Sequence, residues 1–578
     1  MISNYHSYKI DIEDSVYRTD SGTEYKRSAI ITFLDKEGNE LEIARLGVPD
    51  MSELYETIHS GNPLVLDSCY VHGFSLSAYR KLYELGKNDL VTINSLSARY
   101  AFFDSQVSTD FTYGNFSDGV SFDGAHFGKS KLLFNNSRFS GNVDFSGVVV
   151  RSGHIEFTGS QFGKGDFIFK NAFVLDGLKD FSDVKFGQGD ITFANTEFNC
   201  GDLLFINTQF NDGKFNFKIT RITSGRVDFH YAIFGAGEIV FERAEFGDSR
   251  VDFRAVDFGE GRVNFNRSVF GDGELNFEGA SCRRGKIQFK RASIGTGTKN
   301  FRLLEMAETE FNFERTQFGT GDMSFDGSRF DKLILRSCYL NNYVDLRIAS
   351  ADVVDLSDTI VRDIIDFETY NHNIEINTLD MTGMRLIGKL FIDWELNGCK
   401  RMICSQPETN NRQKAEQFRI LKVNFNQTGK YEEEDKAYIM FKRYEAKALV
   451  DKYSDRGIVM KILAWISNGF RWLVFDAAGL YATNPLRVLF SMGVGYVVFS
   501  LLFLLLIKVS DADIISSTTD QLADLPRAFY HSAITFFTIG YGDHYPHGSI
   551  RIVSGLEGFV GVFLMSYFTV AFVRKVLR

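Results

Sequence analysis

Thr538-Ile539-Gly540-Tyr541-Gly542-Asp543 lies between two long apolar segments near the C-terminus, and the rest of the chain is interpreted outward from this hexapeptide. Successive backbone carbonyls can point to one side of an extended segment only where some residues adopt left-handed dihedral angles, which glycine adopts at little energetic cost. Gly540 and Gly542 alternate with Ile539 and Tyr541. The pattern therefore predicts a row of carbonyl oxygens, which can replace the hydration shell of a cation without burying negative charge.

The flanks of the hexapeptide have the composition of membrane-spanning helices. An uncharged apolar run extends from Val488 to Ile507, and a second run from Ile552 to Val573 carries Glu557 as its one charge. Each is long enough to cross roughly 30 Å of hydrocarbon. Between them, residues 525–537 form a short apolar segment with Pro526 near its start, where the missing N–H of proline is tolerated. The order predicted is span, short helix, hexapeptide, span.

This arrangement resembles the pore domain of the tetrameric two-helix potassium channels, and the hexapeptide resembles their Thr-Val-Gly-Tyr-Gly selectivity filter. The resemblance covers residues 484–578 and implies a first span over 486–507, a pore helix over 525–537, a filter over 538–543 and a second span over 550–573. It implies K⁺ binding at Thr538, Ile539, Gly540 and Tyr541, with Gly542 completing the filter. K⁺ would be the permeant ion, and no cofactor is expected. One chain supplies one filter, so a homotetramer in a lipid bilayer is expected.

Residues around the filter are expected to support it. Some similar channels carry a pore-helix Glu that pairs with the Asp after the filter, but this chain has Ile534 at that position. We therefore expect Asp543 to bond to the Tyr530 hydroxyl, with Thr535 as further support. Glu557 is expected behind the filter, bonded to the pore helix or protonated, because a carboxylate inside a span requires a partner or a watery niche.

The second span is predicted to contain the gate. In the similar channels a glycine below the filter absorbs the bend that opens the pore, and Gly558 and Gly561 are the candidates for this hinge. Gly561 lies nearest the expected depth, about five helical turns beyond the filter. Below it, Met565, Phe568 and Phe572 are predicted to form an apolar constriction that closes the pore by dewetting.

Residues 96–400 repeat with a period of twelve, and sixteen phenylalanines recur at that interval from Phe145 to Phe325. Neither a 3.6-residue helix nor regular alternating strands fits this spacing, whereas a solenoid of short β-coils does. Val143-Asp144-Phe145-Ser146-Gly147 resembles the pentapeptide-repeat unit, which implies a right-handed, four-sided β-helix. Two extra residues in each pair of units, usually including glycine, cast doubt on a regular square section. Two twelve-residue units per coil predict about a dozen coils.

The remaining segments predict accessory structure. Residues 1–95 are interpreted as a small α/β cap with a helix near residues 78–85, and residues 401–455 as a helical hairpin. Residues 456–483 are apolar but contain charges and two tryptophans, which favours an amphipathic helix lying in the membrane interface. A third span is the alternative for this segment.

Charge and cysteine content limit the partners. The segment 484–578 has a net charge of +1 within a chain of −10, so the preceding residues carry −11. This acidity argues against nucleic acid as a partner. The 6 cysteines show no CxxC pair and follow no secretory signal, which indicates reduced cytosolic thiols rather than a zinc site. Basic residues flank the spans on one side (Arg487, Arg574, Lys575, Arg578), and the connecting loop is acidic (Asp511, Asp513, Asp520, Asp524, Asp543), which predicts two cytoplasmic termini in a cell (inner) membrane of bacterial type.

Two functions from different classes fit these features. The first is a homotetrameric potassium channel whose β-helix domain acts as a cytoplasmic sensor or scaffold for an unknown ligand or protein. The second is a membrane-anchored pentapeptide-repeat binding protein without conduction, which would need only one span and no filter. An enzyme is not expected, because no nucleophile–base or metal constellation emerges from the sequence.

Overall fold

The computed structural model describes residues 1, 5–19, 22–368, 374–454, 457–519 and 522–577. Asp520 and Arg578, two of the charges used to predict topology, lie outside the described residues. The chain divides into two compact units, Met1–Gln406 and Pro407–Arg578. Each unit is described by itself.

The first unit is a β-solenoid with four faces, each a parallel sheet built from one short strand per coil. Strands in adjacent coils pair at an offset of 24 residues through most of the stack, as at Phe167 and Ile191, which is twice the twelve-residue period. The glycine-bearing insertions therefore leave four faces in place. The two longest faces contain 14 and 13 strands, close to the predicted dozen coils.

Each of the two longest faces contains the following strands in chain order. The 14-stranded face comprises Leu64–Val65, Leu96–Ser97, Val120–Ser121, Val143–Asp144, Phe167–Ile168, Ile191–Thr192, Phe215–Asn216, Ile239–Val240, Glu260–Asn264, Arg284–Gln288, Glu305–Asn312, Arg329–Ile334, Ser350–Asp355 and Glu375–Asp380. The 13-stranded face comprises Ser108–Asp110, Lys131–Leu133, Ile155–Glu156, Lys179–Asp180, Leu203–Leu204, Arg226–Asp228, Arg250–Asp252, Leu275–Asn276, Lys299–Asn300, Met323–Ser324, Val344–Asp345, Ile364–Asp366 and Lys389–Phe391.

The two other faces are interrupted and continue through isolated bridges. One consists of Tyr70–His72, Phe102–Asp104, His126–Phe127, Val149–Val150, Phe173–Val174, Glu197–Phe198 and Arg221–Ile222, then, after a bridge at Glu245, of Val269–Phe270, Ser293–Ile294, Gln317–Phe318, Tyr339–Leu340, Ile360–Val361 and Arg385–Leu386. The other begins with Val91–Ile93, Gly114–Phe116, Arg138–Phe139 and Gln161–Phe162 and continues by bridges as far as Glu305.

Stacked phenylalanines fill the interior of the solenoid. Phe181 lies parallel to Phe205, one coil away, with ring centroids 5.1 Å apart, and meets Phe193 of the adjoining ladder edge-on at 5.6 Å and 84°. All three side chains have no exposed surface. The twelve-residue period thus produces two interlocking aromatic ladders, in which each ring has both stacked and edge-to-face neighbours.

The structure differs from the prediction at the start of the solenoid. Parallel stacking begins at Leu64–Val65 and Tyr70–His72, not at residue 96, because the first coils lack the phenylalanine period that marks the later ones. A three-stranded antiparallel sheet packs on this region through a buried cluster that includes Phe33 and Phe102. Its strands are Ser7–Glu13, Arg27–Leu34 and Glu40–Val48. Tyr17–Arg18 pairs with Glu24–Tyr25, and helices α1 (Met51–His59) and α2 (Leu76–Leu82) lie between strands. Helix α3 (Cys399–Cys404) follows the last coil.

The second unit is helical. Helices α4 (Asn411–Gln427) and α5 (Tyr431–Ser454) form the predicted hairpin and pack closely together. Helix α6 (Ile458–Arg471) continues into a π-helical segment, Trp472–Ala477. Helices α7 (Pro485–Val509), α8 (Asp524–Phe536) and α9 (Ile550–Val576) follow, with Ile514–Ser516 paired to His544–Pro546 beside α8. Helix α8 matches the predicted pore helix to within one residue at each end.

Three helical segments of the described residues have the length and composition to cross a membrane: Ile458–Ala477, Pro485–Val509 and Ile550–Val576. The last two are the predicted spans. In the apolar window of the first segment no residue is buried against the rest of the protein, and it packs beside α5. A location of this segment in the membrane interface stays a prediction, with a third span as the alternative.

Candidate ion-conduction site

The backbone of the hexapeptide alternates between left-handed and ordinary dihedral angles. Thr538, Gly540 and Gly542 have φ values of 56°, 61° and 78°, whereas Ile539 and Tyr541 do not have positive φ. An alternation of this kind turns successive carbonyl groups toward the same side of the chain. Two of the three left-handed positions are glycine, for which this conformation is unstrained. The third is Thr538, an unusual conformation for a β-branched residue.

The C-terminal end of α8 fixes the start of this segment. The carbonyl of Ile534 accepts hydrogen bonds from the amides of Ile539 and Gly540, at 2.8 and 3.1 Å, and the carbonyl of Thr535 accepts one from Thr538 at 3.1 Å. These amides therefore point back to α8, which leaves the opposite side of the segment to the carbonyl oxygens. Thr535 contacts the hexapeptide through its backbone, and its role as filter support stays a prediction.

Asp543 and Tyr530 are in contact, as the sequence predicts. The Tyr530 hydroxyl donates to Oδ2 of Asp543 at 2.7 Å. On the other side, the carbonyl of Asp543 accepts bonds from the amide and hydroxyl of Ser517, at 2.7 and 3.0 Å. The His544 ring packs edge-on against Tyr530 at 5.1 Å. Asp543 thus ties the end of the filter to both α8 and the preceding loop. The contribution of these bonds to conduction stays a prediction.

Glu557 lies behind the filter, fully buried, in contact with α8. The hydroxyl of Ser532 donates to Oε1 of Glu557 and to the carbonyl of Tyr496 on α7. One helical turn earlier on α9, the hydroxyl of Ser554 is 2.9 Å from Nε2 of His531. No sequence pattern singled out Ser532, His531 or Ser554 as functional residues. A polar residue on the apolar pore helix was the signal that could have found them, since buried polar groups need partners.

The predicted hinge glycine Gly561 is a packing residue. A Cβ atom at Gly561 would lie 2.9 Å from the carbonyl carbon of Phe536, and closer still to its oxygen. Glycine is therefore required because the backbone of α9 crosses the last turn of α8 at this point. Gly558 has no such neighbour within 4 Å. These observations give Gly561 a packing role against α8, and the hinge itself stays a prediction for both residues.

The three residues of the predicted constriction differ in burial, and the constriction itself stays a prediction. Met565 and Phe568 are half-buried and pack against clusters that contain Met492 and Phe536, whereas Phe572 is 51% exposed. Spacings of three and four residues put all three on one side of α9, and the rings of Phe568 and Phe572 stack with centroids 6.0 Å apart. Exposed side chains instead form a stripe on the opposite face of α9: Ile552, Leu556, Phe559, Val562, Ser566, Thr569 and Val573.

The large side chains of the hexapeptide are poorly covered by the part of the chain that the structure describes. Ile539 is 49% exposed and Tyr541 is 70% exposed. Apolar and aromatic side chains of this size normally pack against neighbouring groups. The exposure of Ile539 and Tyr541 means that any such neighbours belong to another molecule.

Among the described residues, no group of three or more His, Cys, Asp and Glu side chains is arranged to hold a metal ion. Cation binding by the carbonyl oxygens of residues 538–542 stays a prediction.

Comparison with known families assigns the same segment. No curated protein and no solved structure matches the chain. The model of a family described as "Ion channel" matches residues 491–578, which include most of α7, all of α8, the hexapeptide and α9. With the apolar helices of the second unit, this match indicates a membrane protein with ion channel activity, in which a β-solenoid precedes the channel domain.

Proposed function

We propose that the chain forms a potassium-selective channel as a homotetramer in a cell membrane, with both termini in the cytoplasm. The observation that carries this proposal is the alternation of left-handed φ at Thr538, Gly540 and Gly542. A row of carbonyls produced in this way suits K⁺, because it replaces hydration oxygens with backbone dipoles and adds no net charge.

Four copies are proposed because one filter segment coordinates a cation from one side only. A ring of identical segments surrounds the ion, and closed cyclic symmetry is the usual arrangement of identical subunits. The exposure of Ile539 and Tyr541 supports this assembly, since neighbouring subunits can cover both side chains. The exposed stripe along α9 would then face the pore axis and adjacent copies.

The decisive experiment measures K⁺ and Na⁺ flux through the purified chain in liposomes. Flux of K⁺ should greatly exceed that of Na⁺. Gly540→Ala should abolish selectivity or flux, because a Cβ in the left-handed region costs about 1–2 kcal/mol in each of four subunits. No atom lies within 4 Å of the added Cβ, so the strain is confined to the backbone. Gly555→Ala, in α9 with equally open surroundings and no positive φ, is the matched control.

Equal permeation of K⁺ and Na⁺ through the intact chain would contradict potassium selectivity. Absence of any flux from well-folded protein would instead favour a membrane-anchored binding protein without conduction.

Regulation by the solenoid is the second part of the proposal. The solenoid has a large surface on which ion pairs bridge successive coils, as in the Glu197–Arg221–Glu245 row, and it offers a rigid site for an unidentified cytoplasmic ligand or protein. Truncating residues 1–410 should change the open probability and leave ion selectivity unaltered. Unchanged gating after truncation would reduce the solenoid to a passive scaffold.

A further inference from the structure

The C-terminal end of α9 is bound to α5 by a partly buried ion pair. Arg574 donates to Asp435 at 2.9 Å and lies 3.5 Å from Glu434. Its guanidinium also lies over the Tyr438 ring, 4.5 Å from the centroid, a favourable cation–π arrangement. The side chains of Glu434 and Asp435 are only 3% and 11% exposed, so this contact is well removed from water.

A second contact joins α9 to the segment that precedes the first span. The Tyr567 hydroxyl donates to the carbonyl of Phe475 at 2.9 Å and accepts from the amide of Ala482 at 2.8 Å. Leu480, Tyr481 and Ala482 are three consecutive non-glycine residues in the left-handed region, with φ of 50°, 57° and 62°. Such a run persists only where its surroundings hold it in place. Tyr567 is one of the groups that hold it.

Helix α5 binds the same segment from the other side. Arg443 donates two hydrogen bonds to the carboxylate of Asp476, from Nε at 2.7 Å and from Nη2 at 2.8 Å. Asp476 is buried, and its side chain is 5% exposed. Residues 434–443 of one helix therefore hold both the end of α9 and the segment that leads into α7.

We propose that these contacts form a clamp that positions the C-terminal end of α9 and transmits displacements of the hairpin α4–α5 to the pore. The clamp is defined as Glu434, Asp435, Arg443, Asp476, Tyr567 and Arg574. The inference rests on the proposed channel function and names how the gate would be controlled. Coupling acts directly on the pore-lining helix, in addition to any pull on the first span.

The chemistry of the clamp suits a switch better than a structural support. A buried ion pair adds little net stability, but loss of one partner leaves an uncompensated buried charge, which is strongly unfavourable. Arg574 makes the shorter contacts with these carboxylates, since the ammonium groups of Lys575 and Lys422 lie 3.9 Å from Asp435 and Glu434. The solenoid unit is joined to the hairpin by a short connection, because only residues 405–410 separate α3, the last helix of the solenoid unit, from α4. Tyr567 and Arg574 are accordingly positioning residues.

The test exchanges the charges of one pair in the full chain. Open probability is recorded in planar bilayers with K⁺ as the charge carrier, for Arg574→Asp, Asp435→Arg and the double exchange. Each single variant should shift the open–closed equilibrium by roughly 5- to 150-fold, the range of measured allosteric couplings, and the exchange should restore most of it. Tyr567→Phe, which removes the hydroxyl and keeps the ring, should shift it in the same direction as Arg574→Asp. Arg412→Asp, on the exposed side of α4, makes the same charge change as a control.

A readout independent of conduction separates the clamp from the channel function. Amide hydrogen exchange over residues 567–577 should accelerate in Arg574→Asp and return toward the original rate in the exchanged pair. Absence of K⁺ current in the unaltered chain would refute the channel function and leave this measurement intact. The clamp would be overturned if Arg574→Asp and Tyr567→Phe both left amide exchange and open probability unchanged. It would also be overturned if the effects of Arg574→Asp and Asp435→Arg simply added in the double exchange.

Discussion

Replacing the buried Lys179 by leucine should stabilise the solenoid. Lys179 occupies the 13-stranded face, where Ile155 and Leu203 are its partners in the adjacent coils. Its side chain is fully buried, and Nζ donates to the carbonyl of Cys200 at 2.9 Å. Burial, the largest cause, lowers the pKa of Lys179 to about 8 from an ordinary 10.5.

The magnitude follows from this pKa. A group that is harder to protonate in the folded state destabilises that state at every pH below its folded pKa. At 1.36 kcal/mol per pH unit, the interval between 8 and 10.5 corresponds to about 3 kcal/mol at neutral pH. Leucine removes this penalty. The carbonyl of Cys200 keeps a partner, because it also accepts from the amide of Gly177 at 3.1 Å.

The assay is denaturant unfolding of the purified full chain, followed by circular dichroism of the β signal. Lys179→Leu should raise the free energy of unfolding by about 3 kcal/mol at neutral pH. This advantage should shrink as pH rises from about 8 to 10.5, because Lys179 of the unaltered chain then loses its proton in the folded state and no longer carries the cost of a buried charge. Lys185→Leu, at an exposed position in the same coil, should change stability by less than about 0.5 kcal/mol.

Two results would refute this reasoning. One is a Lys179→Leu variant less stable than the native chain at neutral pH. The other is an advantage that does not vary with pH. Lys299 gives an independent repetition, because it occupies the same face between Leu275 and Met323 and its pKa is also lowered by burial to about 8. Lys299→Met should behave as Lys179→Leu does, and the two effects should add.

Three further predictions concern the pore. Tyr530→Phe removes the hydrogen bond to the carboxylate after the filter and should speed inactivation in long recordings; currents that persist unchanged would remove Tyr530 from filter support. Gly561→Ala should reduce K⁺ flux and tetramer stability, because the added Cβ meets the carbonyl of Phe536 on α8. Gly558→Ala has open space at its Cβ and should change neither quantity. Equal effects of the two variants in flux and gel-filtration assays would argue for a hinge instead of packing. Glu557→Gln keeps the size and the bond to Ser532 and should be tolerated in tetramer stability. Glu557→Leu removes that bond and leaves the Ser532 hydroxyl its bond to the Tyr496 carbonyl, so it should lower stability by about 0.5–1.5 kcal/mol; similar melting of both variants would contradict the contact.

Sequence alone determined the features that depend on near neighbours along the chain. The alternation of glycine with large residues predicted the left-handed positions of Gly540 and Gly542, and the twelve-residue spacing of phenylalanine predicted the β-solenoid. Both are local rules, because a dihedral preference or a repeat acts on each residue regardless of distant packing. Even Lys179 carried a signal, since it lies two residues before Phe181, at an inward position that is apolar in most other repeats.

Tertiary structure decided what depends on helical phase and on contacts between distant segments. The pairing of Glu557 with Ser532 joins residues 25 positions apart on two helices, and that of Arg574 with Asp435 joins residues 139 apart. Composition does not specify which faces meet. The same reason assigns Gly561 to packing against α8 and removes Met565 from the exposed stripe of α9: an apolar helix has no polar face to reveal its orientation, so only the neighbouring helices fix it.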